Sequence, residues 1–194
     1  MQIELNATYS KGSAYPRRMR VAVFCSSSPT IDSKYVELAT ELGAAIGARN
    51  WELVSGGGHI SMMGAVARGV RASGGKTIGV IPQSLVDIEF ADHDNHELHV
   101  VDSMRERKAK MEEMSDAFIA LPGGPGTLEE LFEIWVGRFL NFHDKPVIIL
   151  DPFDIYGPLR DLLDHLENHG FVKPGQRELL HWSTTIEEAL VLCR

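Results

Sequence analysis

Cysteine is nearly missing: Cys25, which closes an apolar run, and Cys193, next to the C-terminus, are the only two in 194 residues. That excludes a disulfide framework as the source of stability. No apolar run approaches the ~20 residues that a membrane-spanning helix needs, and the N-terminus has none at all, so a cytoplasmic protein is expected. A basic surplus is absent too, with 19 Lys and Arg against 27 Asp and Glu and a formal charge of −8. Clustered cations occur only from Arg105 to Lys110, which argues against a nucleic-acid surface, because a phosphate backbone recruits many Lys and Arg. A mononucleotide stays open, since one phosphate needs only a local group of donors. The chain also lacks internal repeats and low-complexity segments. What is there is ordinary globular composition, 44% hydrophobic and 24% charged, with enough length for one sizeable core.

From Arg20 onward, short β-branched runs alternate with longer stretches of helical period. That pattern predicts an α/β fold, a Rossmann-like doubly wound parallel sheet with helices on both faces. Strands are expected at Met19 to Cys25, Trp51 to Val54, Lys76 to Ile81, Leu98 to Val101, Asp116 to Leu121 and Pro146 to Leu150. Helices are expected up to Ala48 from Asp32 or Ser33, then at Met62 to Ala72, from Asp102 or Ser103 to Ser115, at Thr127 to Phe142, Tyr156 to Asn168 and Ile186 to Leu192. Residues 1–18, polar and weakly patterned, read as a flexible extension, and residues 19–194 as a single domain. In such a sheet ligands gather outside the carboxyl ends of the strands. The loops at Ser26 to Ser28, Gly56 to Gly58, Pro82 to Glu89 and Pro122 to Gly126 all follow strands, so one cleft is expected to contain them.

The most informative of these loops is Leu121-Pro122-Gly123-Gly124-Pro125-Gly126-Thr127-Leu128-Glu129-Glu130. Glycines let backbone N–H groups approach an anion, and the start of a helix adds unpaired donors and a partial positive charge. Glu129 and Glu130 are expected on the first turn, beside whatever the loop holds. An isolated Gly-rich connection would be a weak signal. Here Met104-Arg105-Glu106-Arg107-Lys108 lies upstream, and Gly56-Gly57-Gly58 is followed by Met63-Gly64.

Together these motifs resemble the LONELY GUY family of cytokinin-activating phosphoribohydrolases, formerly mislabelled lysine decarboxylases. The resemblance covers about residues 20 to 193. It implies hydrolysis of the N-glycosidic bond of N6-modified adenosine 5′-monophosphates to free base and ribose 5-phosphate, with no cofactor and no metal. It also implies catalysis by Arg107 and Glu130, and a substrate site of Glu89, Lys108, Gly124, Pro125, Gly126, Thr127, Leu128, Glu129, Ser27, Gly57, Gly58 and Met63. Two serines depart from the family pattern, Ser26 and Ser61, where glycine is common; both put local loop geometry in question, because serine tolerates φ > 0 poorly.

Breaking the bond between ribose and base develops positive charge on the sugar and negative charge on the departing base. A carboxylate beside the sugar and a cation near the base or sugar answer those needs. Glu130 and Arg107 suit these roles as residue types, Arg as an electrostatic partner because it stays charged. Two other readings use the same loops, a non-catalytic purine-nucleotide-binding module and a broader purine-nucleotide N-glycosidase. His93, His96 and His99 are not spaced as a metal-binding helix motif, and Ser26 to Ser28 lack a nucleophile elbow. Lysine decarboxylation ordinarily needs a Schiff-base lysine, and no lysine is marked for it. The helix at Thr127 to Phe142 carries Leu128, Leu131, Phe132, Trp135, Val136, Phe139 and Leu140 over about half its circumference, with Ile134 outside the arc. That width exceeds a single core stripe, and the resemblance implies a homodimer. The intramolecular alternative is that the segment around Trp182 covers the extra face.

Overall fold

The structure is a computed structural model describing residues 17–88 and 90–194. In chain order the elements are β1 (Arg20–Phe24), α1 (Ser33–Ala48), β2 (Glu52–Ser55), α2 (Ser61–Ala72), β3 (Lys76–Pro82), α3 (Gln83–Val86), β4 (Glu97–Val101) and α4 (Met104–Met114), followed by β5 (Ala117–Ala120), α5 (Pro125–Phe139), β6 (Val147–Leu150), α6 (Gly157–Asn168), α7 (Pro174–Arg177), β7 (Leu180–Ser183) and α8 (Ile186–Leu192). The strands form one sheet in the order β4-β3-β2-β1-β5-β6-β7, and every pairing is parallel. The chain winds outward from β1 to β4, returns to lay β5 on the free side of β1, and winds outward again. The switch point therefore falls between β1 and β5, where a crevice opens as the following loops diverge.

Both faces of the central strands are apolar, which is why they read as continuous hydrophobic runs. Val21, Val23, Ala117, Ile119, Ile148 and Leu150 pack with buried residues of α1, α2 and α8. Their alternates Ala22, Phe24, Phe118, Ala120, Val147 and Ile149 pack with Met111 of α4, Leu131, Ile134 and Trp135 of α5, and Leu163 of α6. Each large side chain so buried contributes ~1.5–3 kcal/mol. Of the apolar stripe that the sequence offers for α1, Leu38, Ala39, Leu42 and Ile46 are buried, and Val36 packs half-buried against the same cluster. The helix starts where Asp32 accepts a hydrogen bond from Lys34 N, a side-chain cap for an otherwise unpaired donor.

Several boundaries differ from the sequence reading for identifiable reasons. β3 runs through Pro82, which pairs with Val101 at the strand's last position; a terminal proline gives up only one ladder donor. Short elements went unpredicted, namely α3, α7 and β7, the last with the mixed sequence Leu-His-Trp-Ser. α5 begins at Pro125, two residues before the expected Thr127, because proline at the first helical position forgoes an N–H that would be unpaired anyway. Glu129 and Glu130 consequently sit in the second turn. Ile134, left outside the apolar arc, is buried at 4% exposure beside Trp135. Arg17, inside the predicted extension, pairs with Asp116, while Met1–Pro16 lie outside the described residues. Among the described residues no helix is long and apolar enough to cross a membrane.

Of the two serines standing for family glycines, Ser61 alone adopts the left-handed region, at φ 51°. Its Oγ is buried without a hydrogen-bond partner among the described residues. A non-glycine residue there costs ~1–2 kcal/mol, of which glycine's greater unfolded-state entropy returns ~0.4–1 kcal/mol. Ser61→Gly is thus expected to raise the thermal midpoint by about 1–3 °C, from a gain of ~0.5–1 kcal/mol in a chain of this size. A lowered midpoint in a melting experiment would contradict the strain argument. Ser26 is not strained, and its Oγ accepts from Ser28 N at 3.1 Å.

Candidate active site

The cleft at the switch point has a volume of about 450 Å³. It collects the loops expected to converge there: Ser26 to Ser28 after β1, Gly56 and Gly58 after β2, and Gly124, Pro125, Gly126 and Thr127 after β5. Gly124 and Gly126 face open space, with nothing within 4 Å of where a side chain would begin. The first hydrogen bond of α5 runs from Leu128 N to Gly124 O at 3.1 Å. The N–H groups of Gly126 and Thr127 ahead of it have no intrahelical partner and suit an anion. Tyr156, unforeseen from the sequence, fixes the approach to this loop: its hydroxyl donates to the carbonyls of Leu121 at 3.0 Å and Gly123 at 3.2 Å. Burial pushes its pKa up, so it stays a donor.

Across the cleft, α4 presents Arg107. The start of α4 is fixed by a reciprocal cap: Glu106 N donates to Ser103 Oγ at 3.2 Å, and Asp102 N donates to Glu106 Oε2 at 2.9 Å. That registry turns Arg107 inward, where Nη2 lies 3.7 Å from Glu130 Oε1 with side-chain exposures of 11% and 13%. At that separation the pair is an electrostatic contact, leaving both groups capacity for a ligand. Burial raises the Glu130 pKa, and Arg107 opposes that rise. Cys25, at the end of β1 on the same wall, has its thiol pushed up by burial and then by the charge of Glu130, so it is a neutral neighbour and not a nucleophile.

The rest of the wall is apolar: Ile81, Leu85, Phe90, Met63, Met104 and Met111. Only Met63 among these was assigned to the site from the sequence, because apolar residues scattered over a strand, three helices and a loop carry no local signature. The loop holding Phe90 is stapled to the glycine turn, with Asp92 N donating to Gly57 O at 2.7 Å and His59 N to Phe90 O at 3.1 Å. Arg71 anchors it from α2 through Asp92 at 3.0 Å.

Ser27, Gly58, Met63, Gly124, Pro125, Gly126, Thr127 and Glu129 line the cleft beside Arg107 and Glu130. Three other sequence-selected residues lie outside its lining. Lys108 pairs with Glu129 and Glu133, tying α4 to α5, and hydrogen bonds to Glu129 and then Glu133 raise its pKa. Leu128 packs against the core, and Gly57 bends at φ 72° towards Ile81. Glu89 lies outside the described residues. Of the three spaced histidines, His96 Nδ1 accepts from Thr77 N at 3.2 Å and His99 lies near Glu97. Among the described residues no three His, Cys, Asp or Glu side chains are grouped to hold a metal.

Residues 63–193 match a family described as possible lysine decarboxylase. The chain is 52% identical over 173 residues to a cytokinin riboside 5′-monophosphate phosphoribohydrolase of Mycobacterium tuberculosis, covering 89% of this chain and 92% of that one. It is 41% identical over 189 residues to the enzyme of the same description from Rhodococcoides fascians, covering 97% and 96%. Among solved structures, the molybdenum cofactor binding protein of Rippkaea orientalis shares the fold with a TM-score of 0.69 at 21% identity, over 91% of this chain and 95% of that one.

Proposed function

The chain belongs to the LONELY GUY family, and from that premise we propose that its cleft hydrolyses cytokinin riboside 5′-monophosphates through Arg107 and Glu130. The observation that carries the site assignment is the opposition of these two buried side chains across a cleft floored by the unpaired N–H groups of α5. The bond between ribose C1′ and the base nitrogen breaks with its electron pair going to the base. Water's oxygen then bonds C1′ and keeps one proton as the new hydroxyl, while its other proton is given up and the departing base gains one. Glu130 stabilises the cationic sugar and orients or deprotonates that water, while Arg107 balances the charge that moves to the leaving group. The 5′-phosphate rests on Gly124, Gly126 and Thr127.

The older family description does not suit these residues. A decarboxylase of amino acids ordinarily holds its cofactor on a lysine, and among the described residues no lysine stands in the cleft wall. Incubation with N6-isopentenyl-AMP and with AMP separately, following free base and ribose 5-phosphate, tests the reading. Base release from the first supports it; binding without release of base from either would leave a nucleotide-binding module, and equal release from both a broader purine-nucleotide N-glycosidase.

Residues 19–194 work as one catalytic unit, in the cytoplasm, where two free cysteines persist. The functional form is a homodimer. Segment 173–180 covers part of the wide apolar face of α5: Trp135 Nε1 donates to Gln176 O at 2.8 Å, and Lys173 lies over the Phe139 ring. Val136 at 40% exposure on the helix that carries Glu130, and Leu140 at 51% and Phe142 at 76% just past its C-terminal end, are left uncovered, and a second copy would bury them. Light scattering at micromolar concentration is expected to give twice the chain mass, with Leu140→Glu shifting the population to monomer and lowering activity together. A fully active monomer across that range refutes the coupling.

A further inference from the structure

Arg107 is held in place by very little. Among the described residues its Nε is buried without a hydrogen-bond partner, one terminal nitrogen lies 3.8 Å from Met104 Sδ, and the other is 3.7 Å from Glu130. None of these is a strong directional bond. What confines the guanidinium is Gly56, the first residue after β2. A Cβ built on Gly56 would collide with Arg107 Nη2 and stand 2.7 Å from Cζ and 3.1 Å from Nε, and these guanidinium atoms are its three nearest neighbours. The backbone does not demand glycine here, since Gly57 has positive φ and Gly56 does not. Space demands it.

We infer that Gly56 is a positioning residue for the hydrolytic reaction: its missing side chain is the seat that places the Arg107 guanidinium opposite Glu130. The group displaced by any side chain at this position would be the far end of a flexible arginine, which can swing aside without disturbing the sheet. Stability and activity should therefore separate. This inference rests on the role proposed for Arg107, and it adds that the glycine loop acts on catalysis through a side chain of α4 as well as through its own backbone.

The test is a double-mutant cycle on the full chain with N6-isopentenyl-AMP, using Gly56→Ala, Arg107→Ala and the combination. Gly56→Ala is expected to fold with an unchanged or slightly raised thermal midpoint, because alanine reduces the entropy of the unfolded chain. Its kcat should fall roughly 100-fold, as a misplacement of about 1 Å at a reacting centre does, with the loss in kcat and not in KM. In the Arg107→Ala background the same change should be silent, since no guanidinium remains to displace. Losses that multiply in the double variant, or a Gly56→Ala enzyme with parental kcat, would overturn the inference while leaving the function proposed for Arg107 intact. An Arg107→Ala enzyme with parental turnover would overturn both. Should Gly56→Ala melt far below the parent, the seat is structural and the inference fails on that result alone.

Discussion

Glu130→Gln is expected to lower kcat by about 100- to 1000-fold, and Arg107→Ala to do the same, each removing one preorganised electrostatic group worth ~2.7–4 kcal/mol at the transition state. Near-parental turnover in either folded variant would sink the mechanism. For Glu130 the structure adds a linked expectation for stability. Its pKa is raised chiefly by burial, against the opposing effect of Arg107. A raised carboxyl pKa means that the folded state favours the neutral form. The associated stability is complete below the unfolded-state pKa and is lost as pH rises through the folded-state value. Near neutrality the parent thus carries the cost of an ionised, desolvated carboxylate, and glutamine does not. Glu130→Gln should match the parent's melting temperature in acid and exceed it increasingly as pH climbs past the ordinary glutamate range. Activity runs the other way. The parent's kcat/KM should rise with pH along a limb displaced above that range, and the glutamine variant should lack the limb. A pH-independent difference in melting temperature would show that burial is not what sets this group's ionisation.

Removing the 5′-phosphate from the substrate is expected to be as damaging as removing a catalytic side chain. Two charge-assisted hydrogen bonds to the amides at Gly126 and Thr127, at ~2 kcal/mol each, correspond to roughly 1000-fold in kcat/KM. The loss should not fall on KM alone. Binding energy from the phosphate serves to hold the ribose between Arg107 and Glu130, so the riboside should turn over more slowly even at saturation. Comparable kcat/KM on N6-isopentenyladenosine and its 5′-monophosphate would show that the α5 N-terminus is not the anchor. Retained kcat with a raised KM would show that it binds phosphate without positioning the sugar.

The legibility of the site followed the range of the interactions that build it. The glycine-rich turn proposed as the phosphate anchor could be read because its parts are local: glycines and a threonine within one short stretch impose their geometry on their own backbone, although the helix begins at Pro125, ahead of the expected Thr127. The pairing of Arg107 with Glu130 was implied by family motifs, but no periodicity announces that α4 and α5 face each other across a switch point. Tyr156 went unnoticed because its hydroxyl acts on Leu121 and Gly123, more than thirty positions away in the chain. β7 was missed for a related reason. Leu-His-Trp-Ser is only four residues long and has no β-branched residue, and it becomes a strand because β6 offers an edge from Val147 to Leu150.

By itself the sequence determined that the fold is a helix-covered parallel sheet, since strands buried on both faces must be apolar throughout and the helices between them must carry stripes. It determined the glycine-rich turn into α5, proposed as the phosphate anchor, and the residue types offered for catalysis, all encoded in short stretches of chain. Tertiary structure decided the rest. It decided that Lys108 is tied to Glu129 and Glu133, that Met104, Met111 and Phe90 form the apolar wall, and that the guanidinium of Arg107 lies over Gly56. These outcomes depend on which side chain of one element reaches the space left by another, and that is fixed only when the sheet order brings residues distant in the chain to one end of the strands.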